Sequence, residues 1–207
     1  MNPVHYSQDN TGLLLVDPYN DFLSHGGKLW PLVEKVAREQ ELLAHMKQIV
    51  DKARATGIRI FYVPHHRSEP GDYQTWKFAT PYQLRSAAAQ VFAKDTWGGE
   101  WHPDFQPQDG DVMIKEHWAQ SGFASTDLDQ QLKQHGVQKV LIIGLLANTC
   151  IEGTGRFAME LGYHVTLVKD ATAAFTHDML RAAHEFNGPT YASEILTTAE
   201  LLERIAS

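Results

Sequence analysis

Short apolar runs without a polar alternation set the limits on what this chain can fold into. TGLLLVD (11–17) and KVLIIG (139–144) are such runs, and IRIFYV (58–63) and YHVTLV (163–168) read as two further strands. A sheet with one wet face would alternate apolar and polar residues, whereas strands buried on both faces of a parallel sheet do not. DVMIK (111–115) and EIL (194–196) add two shorter candidates. Helical patterns separate them. Residues 32–55 carry Leu42, Met46, Ile49, Val50 and Ala53 at helical spacing and stop near Gly57. A short helix is expected around 82–92, one from Ser125 or Thr126 to about Gln134, one after Cys150 ending at Gly162, and one over 177–186. A last helix follows the Thr197 to Glu200 capping-box pattern. This alternation predicts an α/β fold, a mainly parallel sheet covered by helices on both faces.

At 207 residues, residues 1–207 are expected to form one domain. Hydrophobic residues make up 43% and charged residues 21%, ordinary for a globular chain. A net charge of -7 without any run of Lys or Arg argues against nucleic acid or an anionic membrane as partner. The single cysteine excludes an intrachain disulfide, and the start MNPVHYSQDN has neither a basic nor an apolar leader segment. A cytoplasmic protein acting on a small molecule is the expectation.

In open parallel sheets ligands sit beyond the C-terminal ends of the strands. Three reactive groups fall there: Asp17 ends the first strand, Lys115 ends the third, and Cys150 opens the helix after Gly144. A helix N-terminus presents unpaired N–H groups and a positive dipole end, which favours a thiolate. Taken singly, each has a plainer explanation. A lone cysteine is more often core, Asp17 could cap its loop, and Lys115 could be a solvated strand end. On one sheet edge together they supply a nucleophile, a proton carrier and a cation, with the backbone N–H groups between Leu145 and Cys150 as oxyanion donors. The long irregular section 64–111 reads as substrate-side structure, in which Trp76, Trp97 and Trp101 either wall a pocket or pack against the sheet edge. His117, Trp118 and Phe123 face the same two alternatives. Gly153-Thr154-Gly155 lacks the third glycine of a dinucleotide fingerprint, and close helix packing explains it better.

The combination of VDPYNDF, DVMIK, GLLANTC and GYHVTLVKDATAAF resembles the isochorismatase-like cysteine hydrolases, a family that includes nicotinamidases, N-carbamoylsarcosine amidases and ureidoacrylate amidases. The resemblance spans nearly the whole chain. It implies a three-layer α/β/α Rossmann-like fold with a mainly parallel six-stranded sheet, an Asp17, Lys115, Cys150 triad and a homo-oligomer. It also implies a non-proline cis peptide at Leu145-Leu146, with the Leu146 and Cys150 amides as the oxyanion hole. Candidate substrate-binding residues are Tyr19, Phe22, His65, Arg67, Trp97, His117 and Phe123. Two positions depart from the common pattern: Tyr19 stands where many members have Gln, and Ala147 where many have Thr. Pro64-His65-His66-Arg67 lacks the ligand spacing of the metal-dependent nicotinamidases, since neighbours on an extended segment point apart, so no metal or other cofactor is expected. The expected activity is hydrolysis of a small amide or ureido compound through a thioester. Vinyl-ether hydrolysis of the isochorismatase type, and a non-catalytic binding protein on this fold, are the alternatives.

Overall fold

The apolar runs pair side by side in one direction. The computed structural model describes residues 3–205. Among them, in chain order, are β1 (Thr11–Val16), α1 (Asn20–Leu23), α2 (Trp30–Glu39), α3 (Leu42–Ala55), β2 (Arg59–Val63), α4 (Pro81–Ala88), β3 (Val112–Met113), α5 (Leu128–Gln134), β4 (Lys139–Leu145), α6 (Glu152–Glu160), β5 (His164–Ala173), α7 (His177–Arg181), β6 (Glu194–Leu196) and α8 (Thr198–Arg204). The six strands form one all-parallel sheet in the order β3-β2-β1-β4-β5-β6. Every residue of β1 is buried, as its unbroken apolar run requires.

The two faces of β1 divide the core. Leu13 and Leu15 join Ile60, Tyr62, Leu141 and Ile143 under α2, α3 and α8, burying Val33, Met46, Ile49 and Leu201. Leu14 and Val16 join Phe61, Val63, Val140 and Ile142 under α5 and α6, with Leu128, Leu132 and Ala158. Each such side chain contributes about 1.5–3 kcal/mol on burial, so the layering follows from strand alternation plus two sets of amphipathic helices.

Several boundaries differ from the sequence reading. The single helix expected over 32–55 is two. Its apolar stripe runs Val33, Val36, Ala37 and resumes only at Leu42, so a continuous helix would put the two halves out of phase. Glu41 takes a left-handed conformation (φ 50°) and lets both face the sheet. β5 continues through Ala173, pairing Thr172 with Gly144 and Ala173 with Leu145 where a loop was expected. After α7 the backbone widens into a π-helical stretch, Ala182–Asn187, rather than continuing as one regular helix to Phe186. The Thr197 to Glu200 capping box forms as read.

Strand order reverses between β1 and β4, and there the sheet opens a crevice at its C-terminal edge. Gly144 makes the close approach possible: at φ 118°, a Cβ there would lie 2.1 Å from the Val16 carbonyl oxygen.

Behind this edge, His184 is buried with Nε2 2.7 Å from Thr172 Oγ1. Burial holds it neutral, lowering its pKa from 6.5 to about 4. The folded state therefore binds fewer protons than the unfolded chain between these values. Its contribution is fully present above about 6.5 and is lost as pH falls towards 4. Urea unfolding is expected to show stability dropping across this window, by about 3 kcal/mol from this residue, and His184→Gln should flatten the slope.

Candidate active site

Asp17 follows β1 directly. Its backbone is left-handed (φ 51°) and its side chain is fully buried. Oδ1 lies 3.1 Å from His117 Nε2, while Oδ2 has no hydrogen-bond partner by distance and angle among the described residues. On the neighbouring strand, β4 passes into a cis peptide between Leu145 and Leu146. The chain then makes one wide turn, Ala147–Ile151, closed by Ile151 N–H donating to the Leu146 carbonyl, before α6 begins. This turn carries Cys150 Sγ to the Asp17 carboxylate. The carboxylate, the His117 ring nitrogen and Sγ all lie within 4.8 Å of one another.

His117 comes from beyond β3. Ile114 N–H donates to the Tyr62 carbonyl and His117 N–H to the Pro64 carbonyl, so three steps on this strand match two on β2. One extra residue is accommodated between them, and it inverts the alternation. Lys115 therefore points outward with Met113, exposed, while His117 turns inward and is fully buried. The expectation that Lys115 completes the triad is corrected by this geometry: its backbone N–H donates to Asp127 Oδ1, and the residue is exposed and does not line the cavity beside Cys150. The sequence signal was present in His117, which was a pocket candidate, but the bulge that selects it over Lys115 is invisible to periodicity.

Both ring nitrogens of His117 face acceptors. Nδ1 lies 3.1 Å from the Ala119 carbonyl oxygen, and Nε2 faces the carboxylate. The ring is therefore held at both of its nitrogens. His65 beside it differs. Its Nδ1 faces the His66 carbonyl at 2.9 Å, and burial, with the neighbouring His117 charge, lowers its pKa to about 4. Burial also pushes the Cys150 thiol well above its usual pKa; the Asp17 charge adds to this, and the Thr149 hydroxyl and Leu146 N–H oppose it. The helix start does supply donors, yet they do not outweigh burial beside a carboxylate, so the resting group is a thiol rather than the thiolate read from sequence.

The cluster opens into a cavity of about 390 Å³. Phe22, His65, Tyr73, Tyr82, Val91 and Phe92 form much of its wall, with Ser86, Gln120, Ser121 and Thr149 as neutral polar groups. Asp21 holds part of this wall in place by accepting the Phe92 N–H at 2.7 Å and the Lys28 N–H at 2.9 Å.

A match to the Isochorismatase domain covers residues 11–200. The chain belongs to that family. Among curated relatives of this isochorismatase-family chain, the ureidoacrylate amidohydrolase of Rhizobium rhizogenes is 24% identical over 99% of this chain and 87% of its own. That of Caulobacter vibrioides is 26% identical over 96% and 92%. A cysteine hydrolase from Pseudomonas syringae pv. phaseolicola superposes with TM-score 0.79 at 25% identity, covering 99% of this chain and 98% of that one. N-carbamoylsarcosine amidase from Thermoplasma acidophilum gives 0.69 at 25% identity, over 91% and 96%. The amidase-type hydrolase expected from the sequence is the class to which these names belong.

Other expected site residues separate clearly. Phe22 and His65 line the cavity. Tyr19 is buried behind it, stacked between Trp101 and Phe92, with its hydroxyl donating to the His65 carbonyl at 2.8 Å. Arg67 is drawn off by Glu116, Nε to Oε1 2.6 Å. Burial raises the Glu116 carboxyl, but hydrogen bonds from His66 and Arg67 more than reverse this and leave it at about 2. Trp97 is half exposed outside the cavity, and Phe123 packs in the core against Phe157 and Tyr163. Gly153 and Gly155 serve close packing as read, against the Gln120 carbonyl and the Tyr191 ring. Sequence reasoning missed Tyr73, Tyr82, Ser86 and Gln120, which come from the irregular connection and the loop after β3 and follow no period. Asp17, His117 and Cys150 are, among the described residues, the one group of His, Cys and carboxylates placed to hold a metal ion.

Because burial raises the thiol, alkylation of Cys150 by iodoacetamide is expected to be slow at neutral pH and to climb steadily above about pH 8.5. His117→Ala should slow it about ten-fold at neutral pH by leaving the Asp17 carboxylate beside the thiol without its partner, and Lys115→Ala should leave it unchanged. Peptide mass spectrometry over time checks all three.

Proposed function

We propose that this protein hydrolyses a small amide or ureido compound through a thioester on Cys150, with His117 supplying the positive charge that the resemblance assigned to a lysine. One observation carries the reading: Asp17 directs one oxygen at His117 and keeps the other without a closer partner beside the thiol. As Sγ attacks the carbonyl carbon, Oδ2 takes the thiol proton, and the S–C bond forms while the carbonyl π electrons move onto oxygen. The Leu146 and Cys150 N–H groups are the proposed donor pair for that oxyanion. Collapse breaks the C–N bond, and the proton on Asp17 leaves with the amine or ammonia. Water then attacks the thioester, Asp17 again takes the proton, and the acid departs as the thiol re-forms. The His117 imidazolium keeps its two hydrogen bonds throughout and balances the charge on Asp17 and on the sulfur.

Ureidoacrylate amidohydrolase and N-carbamoylsarcosine amidase, the relatives' names, support a carbon–nitrogen bond as the one cleaved. Among the described residues no helix is long and apolar enough to cross a membrane, which agrees with the proposed cytoplasmic setting, where a single thiol stays reduced. A homo-oligomer fits the exposed Trp76, Phe78, Tyr82 and Leu84 on and just before α4; light scattering on the purified protein tests it.

Ammonia release from a panel of small amides and ureido compounds tests the mechanism. Cys150→Ala and Asp17→Asn are each expected to lower kcat at least about 10³-fold while circular dichroism stays unchanged. His117→Ala should lose about 100-fold or more, and His117→Lys should regain most of that loss. Turnover retained by Cys150→Ala would sink the covalent route in favour of vinyl-ether hydrolysis or another thiol-independent reaction.

A further inference from the structure

The cavity in front of Cys150 is mixed in polarity and, among the described residues, lined by no Lys or Arg side chain. Its wall is largely Phe22, Tyr73, Tyr82, Val91 and Phe92, and its polar groups are hydroxyls and amides such as Ser86 and Gln120. The cations nearest in sequence are spoken for or turned away. Arg67 is paired with Glu116 at 2.6 Å and Lys94 with Glu69 at 2.9 Å. Lys28 donates to the Gln90 carbonyl, and Arg85 is exposed on α4. His117 is committed on both nitrogens behind the carboxylate.

We propose that this cavity selects an uncharged amide with a branched or ring-bearing apolar acyl group, and discriminates against amides that carry a carboxylate. This rests on the amidohydrolase reading for what happens to the bound molecule, and on the wall alone for what is bound. A carboxylate seated here would be stripped of water beside Asp17 with no partner charge, and a buried unpaired charge is strongly disfavoured. His65, the one basic side chain on the wall, stays neutral because burial lowers its pKa to about 4, so it offers no counter-charge at neutral pH. An apolar acyl group has the opposite balance, since the rings and Val91 gain buried area against it. The volume of about 390 Å³ leaves an acetyl group in contact with only part of that wall.

Two isosteres separate charge from size: 4-methylpentanamide and succinamate, which differ by an isopropyl group in place of a carboxylate, with acetamide as the small control. The readout is protection of Cys150 in the full chain against iodoacetamide, followed by peptide mass spectrometry. The expected result is half-protection by 4-methylpentanamide at about a hundred-fold lower concentration than succinamate and about ten-fold lower than acetamide. Ser86→Lys, which adds a cation to the wall, should narrow the first ratio at least ten-fold. Equal or better protection by succinamate, or protection by none of the three, overturns the proposal. Protection reports occupancy rather than turnover. Binding of the neutral amide without ammonia release would overturn the hydrolase reading and keep this one, and ammonia release from succinamate in preference to 4-methylpentanamide would do the reverse.

Discussion

The contact between Asp17 and His117, 3.1 Å long and closed off from solvent on both sides, is the constraint around which the site is arranged. A carboxylate buried at the end of β1 without a partner would be severely destabilising. The His117 ring supplies that partner, and because its other nitrogen faces the Ala119 carbonyl, the ring is held in place. The second oxygen of Asp17 is left without a hydrogen-bond partner among the described residues, in a carboxylate that sits beside the sulfur. Breaking a buried pair by removing one member costs about 3–5 kcal/mol, which puts the pair at the junction of stability and chemistry.

The sheet brings these groups together with little freedom. β1 and β4 are neighbours only because strand order reverses there, and Gly144 allows them to approach until the turn after β4 meets the residue after β1. The wide turn at Ala147–Ile151 then sets Cys150 at the crevice. Behind it, the layers under α2, α3 and α8 on one side and α5 and α6 on the other hold the strand ends in register. The exposed ion pairs within helices, such as Lys47 with Asp51, add only a few tenths of a kcal/mol each.

The fold and the place of the cysteine at the sheet edge were legible in the sequence for a physical reason. Strands buried on both faces leave unbroken apolar runs, and a strand, glycine, cysteine succession marks a turn at the sheet edge. Asp17 and Cys150 could be singled out because each follows such a run, and the structure brings them together. The third member was misread because strand alternation assumes matched steps on paired strands, and 112–117 has one step too many. The pocket wall was hardest. The tryptophans promised the largest surfaces, yet Trp97 and Trp101 are used outside the cavity or behind Tyr19, while Tyr73, Tyr82 and Phe92 line it. Their placement depends on Asp21 and on left-handed residues such as Tyr73 and Phe92, local features that no periodicity encodes.

The extra residue between Ile114 and His117 has a wider meaning. In a paired strand the side presented depends on odd or even count, so inserting one residue changes which chemical group enters a site without altering the group itself. In this chain Lys115 meets solvent and His117 meets Asp17 for that reason. Here segment length acts as a determinant of chemistry in its own right, and chains of this fold are best compared by hydrogen-bond partner rather than by column.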